Sequence, residues 1–144
     1  MKEYFAKLKY LFRWRDLAFT LLLFGLVFGI AFCKRQDVVQ VTFGDTALDV
    51  VGNRYSMNIP YDLVQSVTLE NVSKDDDVIN AREDLALRTG QWRSDSWGEY
   101  FACIDLQTKT CVLVQLDDGR YFAFSTTSDE VTRQTYETLL EKTK

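Results

Sequence analysis

Two regimes of hydrophobic patterning divide the chain. Leu17 to Cys33 (LAFTLLLFGLVFGIAFC) is a run of seventeen residues without a charge, whereas from Val38 onward apolar and polar residues alternate. A helix rises about 1.5 Å per residue, so the first run reaches roughly 25 Å against a hydrocarbon core of about 30 Å. Arg15, Lys34 and Arg35 can snorkel to the headgroups and Trp14 can sit at the interface, which closes the gap. The alternative is a cleaved signal peptide. A long region ahead of the run, and no small-x-small cleavage pattern after it, favour a retained transmembrane helix over residues 17–35.

Residues 1–16 form a basic amphipathic segment. Tyr4, Phe5, Leu8, Leu11 and Phe12 share one side of a helix, with Lys2, Lys7, Lys9 and Arg13 opposite. The segment either lies in the headgroup layer or extends the same helix into the cytoplasm. Five basic residues precede the span and two follow it before Asp37. The positive-inside rule therefore predicts a single-pass protein of the cell membrane, with its N-terminus cytoplasmic and residues 37–144 outside. Arg13, Trp14, Arg15, Lys34 and Arg35 are the expected membrane-interface residues, and lipid is the partner of the N-terminal helix.

The period-two region predicts strands at VVQVTF (Val38–Phe43), ALDVV (Ala47–Val51) and RYSMNI (Arg54–Ile59), the last two joined by a Gly52-Asn53 hairpin turn. Pro60, the chain's only proline, has no N–H for a ladder and is expected to mark a corner where one sheet ends and another begins. Tyr61 to Gln65 makes one helical turn and Ser66 to Val72 resumes as a strand. Ser73 to Asp84, which contains Asp75, Asp76 and Asp77, reads as a solvated loop. It lacks the alternating ligands, turn glycine and late glutamate of a calcium loop. LALRTG, SWGEYFACIDL, KTCVLVQLD and GRYFAFST continue as strands, with a strong turn signal at Asp118-Gly119. Thr127-Ser-Asp-Glu130 fits a capping box that opens a helix to about Lys142, with Val131, Tyr136, Leu139 and Leu140 as its buried stripe.

About seven strands, a corner and one closing helix predict two stacked antiparallel sheets plugged by a helix. Ile59-Pro60-Tyr61-Asp62 with Val64 and Ser66-Val67, and Leu116-Asp-Asp-Gly-Arg-Tyr-Phe-Ala-Phe-Ser125 before the last helix, resemble the bacterial pleckstrin-homology (PH)-like domain proteins. The resemblance covers about Val38 to Lys142. It implies a mainly β fold: a partly open two-sheet barrel capped by the C-terminal helix and anchored by one N-terminal transmembrane helix. These motifs are structural and carry no chemistry. The phosphoinositide binding of eukaryotic relatives needs clustered Lys and Arg beside the open barrel end, where this chain has Asp45 and Arg54.

Charge sharpens the picture. Residues 1–35 hold seven basic and two acidic side chains, a net +5, while the remainder holds ten and nineteen, a net −9. A domain of that sign is repelled by nucleic acid and by anionic lipid. The chain has no histidine, which removes the commonest general base and metal ligand, and it has three cysteines without a Cys-x-x-Cys. No catalytic residue, cofactor site or metal site stands out, and a non-enzymatic role is expected. Cys103 and Cys111 flank the Leu106–Thr110 turn and would face each other across a hairpin, as a disulfide or as two small buried side chains. Trp92, Arg93, Trp97 and Tyr100 are the densest group of contact-forming residues, and serve equally well as barrel-end packing. The reading that results is an acidic PH-like module for protein interaction or self-association, with a lipid- or small-ligand-binding domain as the alternative.

Overall fold

The computed structural model describes residues 18–25, 38–53, 55–84 and 86–144. The chain divides into two compact units, Met1–Gln36 and Asp37–Lys144. In the first, residues 18–25 are helical (α1), with exposed Phe19, Leu21, Leu22, Leu23 and Phe24. Among the described residues no helix is long and apolar enough to cross a membrane. Most of the expected span, together with Arg13, Trp14, Arg15, Lys34, Arg35 and Cys33, lies outside the described residues.

The second unit is mainly β, with two sheets and one C-terminal helix. A three-stranded antiparallel meander comprises β1 (Gln40–Phe43), β2 (Ala47–Gly52) and β3 (Tyr55–Pro60). A larger sheet comprises β4 (Val64–Asn71), β5 (Asp77–Glu83), β6 (Leu87–Ser94), β7 (Gly98–Asp105), β8 (Thr110–Leu116) and β9 (Tyr121–Phe124), in the order β4-β8-β9-β7-β6-β5. Pro60 ends β3, and a single 3-10 turn at Tyr61–Leu63 carries the chain into β4 of the other sheet. The helical turn is thus shorter than the pattern suggested. Alternation along β2 and β3 buries Leu48, Val50, Met57 and Ile59 against Leu87, Cys103, Val112, Val114, Leu116 and Phe124 of the larger sheet.

Three features depart from the expected meander. The charged stretch after Val72 is not all loop, because Asp77–Glu83 is strand β5, paired with β6. The pairing lets a polar strand form without a buried face of its own, which is why alternation failed to reveal it. Second, β9 lies between β7 and β8, parallel to the first and antiparallel to the second. A purely antiparallel pair of sheets was expected; the Asp118-Gly119 turn, with Gly119 at φ 86°, folds β9 back into the gap. Third, the cap of the last helix, α2 (Asp129–Lys142), is Ser128, whose Oγ accepts from the Val131 N–H at 3.3 Å. The cap thus sits one residue later than the Thr127 box required. Val131 points to solvent, and Thr132, Thr135 and Leu139 supply the buried face.

Gly52 and Asn53 divide the work expected of both. Asn53 alone takes a positive φ, 48°, whereas Gly52 is the buried end of β2, where a Cβ would stand 2.5 Å from Cys103 Sγ.

The larger sheet must coil. Its edges β4 and β5 are joined only by Val72–Asp76, and six Cα steps reach roughly 21 Å at most. Five flat inter-strand gaps alone would need roughly 24 Å. The register also sets Asn71 and Asp77 at opposite ends of their strands. The linker therefore runs diagonally over the face turned away from the small sheet. There it covers a second core of Trp92, Tyr100, Ala102, Ile104, Cys111, Leu113 and Ala123.

Candidate functional site

Period-two geometry along β6 sends Arg88, Gly90 and Trp92 to the second core and Leu87, Thr89 and Gln91 to the other face. Arg88 is thereby buried to 3% exposure beneath the diagonal linker. Its Nη1 donates to the Ser73 carbonyl at 2.7 Å and faces Asp76 Oδ2 at 3.4 Å, while Nε pairs with Glu83 Oε2 at 2.8 Å. The guanidinium lies 4.4 Å from the centroid of the Trp92 ring, a cation–π stack. The Tyr100 hydroxyl donates to Asp76 Oδ2 at 2.5 Å. Burial works against the Arg88 charge, but Glu83 and Tyr100 more than offset it and hold its pKa above the ordinary value. The Tyr100 phenol is pushed up by burial and then by the Asp76 carboxylate. Every buried polar side-chain atom among the described residues has a partner. Chemically this cluster is a clamp that fastens the linker.

The second feature is an open cleft of about 390 Å³, lined by residues of β5, β6 and the β2–β3 turn. Asn80, Arg82 and Thr89 line its floor, and Asn53 and Tyr55 at the β2–β3 turn form its wall. Gly90, at φ 100°, is the register partner of Ala81 on β5, and a Cβ there would meet Ala81 Cα at 2.7 Å. This close approach accompanies a bulge between Val78 and Asn80, which leaves Ile79 as the extra residue.

The sequence-predicted residues do not assemble as one surface. Trp92 and Tyr100 face each other across β6 and β7 and are buried, so they belong to the core and not to a contact patch. Trp92 Nε1 donates to the Thr89 carbonyl at 3.3 Å. Trp97 is half-buried at the turn, edge-on to Tyr100 with centroids 5.3 Å apart. Arg93, on the opposite face, is 56% exposed and pairs with Glu99 at 2.6 Å.

Cys103 and Cys111 are both free and buried, and the expected hairpin pairing is replaced by the insertion of β9. Cys103 pairs with Phe124 and Phe124 with Val112, so Cys111 points to the other face. Two inter-strand spacings amount to about 10 Å, beyond the reach of a disulfide. Burial pushes each thiol up to about 12.

Asp76 and the Asn80–Arg82–Thr89 floor are sites that sequence reasoning missed. Arg88 was within reach, since period-two spacing sets it on the same face as Trp92. Among the described residues no three His, Cys, Asp or Glu side chains come together as a metal site. No family model, curated protein or solved structure matches the chain.

Proposed function

We propose that this chain is a non-catalytic, single-pass membrane protein whose acidic PH-like domain contacts protein neighbours, or a second copy, outside the membrane. The observation that carries the reading is β5, an edge strand paired only with β6, on which Val78 (60% exposed) and Ile79 (39%) lie side by side in solvent. Edge strands with apolar side chains are recurrent protein-docking elements. The bulge at Ile79 interrupts regular ladder growth, which suits a side-chain contact better than open-ended strand addition. The apolar run at 17–33 and its basic flanks support the anchor, and the net −9 of the remainder opposes adhesion to anionic lipid. The Pro60 corner and closing helix support the PH-like comparison.

A photo-crosslinking residue at position 78 or 79 in cells tests the reading, with position 51 on the small sheet as control. Protein crosslinks at 78 and 79, absent at 51 and suppressed in trans by a Val78→Asp, Ile79→Lys competitor that fails to bind, are expected. Equal crosslinking at all three positions overturns the reading.

A further inference from the structure

We infer that the cleft between β5–β6 and the β2–β3 turn is a binding site for small monocarboxylates. In a domain that carries nineteen acidic residues after position 35, the described residues lining this cleft include one arginine and no carboxylate. Arg88, Arg93 and Arg120 are each ion-paired, whereas the Arg82 guanidinium makes no hydrogen bond or ion pair among the described residues. It sits close enough to Asp84 to help hold that carboxyl below its ordinary range, behind the stronger backbone bonds from Leu87 and Ala86. Asn80 and Tyr55 also line the cleft, and neither side chain has a hydrogen-bond partner among the described residues, although the small sheet holds Tyr55 half-buried against the core. Three side chains that can donate thus line one concavity: a planar guanidinium, an amide N–H2 and a phenol.

A guanidinium fork with flanking neutral donors matches the planar geometry of a carboxylate. The single positive charge offsets one negative charge, and the surrounding negative field disfavours a dianion such as a phosphate monoester. The volume of about 390 Å³ lies in the small-molecule range, and Tyr55 offers an apolar ring for the rest of such a ligand. The site is distinct from the Val78–Ile79 contact and does not depend on it.

The test is titration of the full-length protein in detergent micelles with N-acetylalanine, followed by side-chain amide and arginine Nε NMR resonances. Its methyl ester and methyl phosphate serve as controls. Saturable shifts at Asn80 and Arg82 are expected with the acid, and none with the ester. Arg82→Gln should weaken binding by at least roughly tenfold and Tyr55→Phe by severalfold, with the backbone spectrum otherwise unchanged. Absence of saturable shifts, unaltered affinity in Arg82→Gln, or equal binding of the ester or of methyl phosphate overturns the assignment.

Discussion

Gly52 and Cys103 touch across the two sheets, the glycine backbone occupying the space that its own side chain would deny to the sulfur. Gly52→Ala is therefore expected to destabilise the domain by about 1–3 kcal/mol through overpacking. Cys103→Ala removes the colliding atom, so the double variant should recover at least about 0.5 kcal/mol relative to additivity. Chemical denaturation of the four proteins measures the coupling, and strict additivity would refute the contact.

The Arg88–Asp76 clamp makes a larger prediction. Asp76→Ala leaves a buried guanidinium short of one partner and should cost about 3 kcal/mol. Combining it with Arg88→Met should cost less than the sum of the two single changes, because the second change removes the stranded charge. The double-mutant cycle distinguishes this pair from two independent core contacts.

The two thiols should be silent. With both raised to about 12 by burial, neither Cys103 nor Cys111 should react with iodoacetamide at pH 8 in the folded protein, and both should react in denaturant. Intact mass before and after reduction should be identical. A gain of two hydrogens from this pair would refute the separation of the two cysteines by β9.

Asp129 ties the start of α2 to β8. Its Oδ1 accepts from the Thr110 N–H and hydroxyl, each at 2.9 Å, and from the Lys109 N–H at 2.8 Å. The bonds from Thr110 lead in holding its pKa below the ordinary 3.8. A depressed folded-state pKa contributes stability that is present above the unfolded value and is lost as pH falls through the folded value. The stability difference between the native sequence and Asp129→Ala should therefore be constant from pH 7 to about 5 and narrow below about 3.9. Urea midpoints across that range would show it, and a difference growing in acid would contradict it.

The alternating stretches and the proline corner were legible because each depends on one residue pattern. Leu48, Val50, Met57 and Ile59 declare their sheet face by spacing, and Pro60 declares the end of a ladder by its missing donor. β5 was not legible, since DVINARE pairs through its backbone while most of its side chains remain in water. The position of β9 was equally hidden. A turn at Asp118-Gly119 says that the chain reverses, yet nothing in YFAF says that the returning strand enters a gap beside β7. The same reason left the Trp92 and Tyr100 group open between a contact surface and barrel-end packing, because the linker that covers both rings is not legible in the sequence.

The placement of β9 has a consequence for synthesis. Until Tyr121 has left the ribosome, β6–β7 and β4–β8 can exist only as separate ladders with no strand to bridge them. Tyr121–Phe124 must then slot between segments already made, a long-range closure of the kind that slows maturation. Nascent chains halted before Tyr121 should thus emerge as two unjoined halves, the form in which quality control would first meet them.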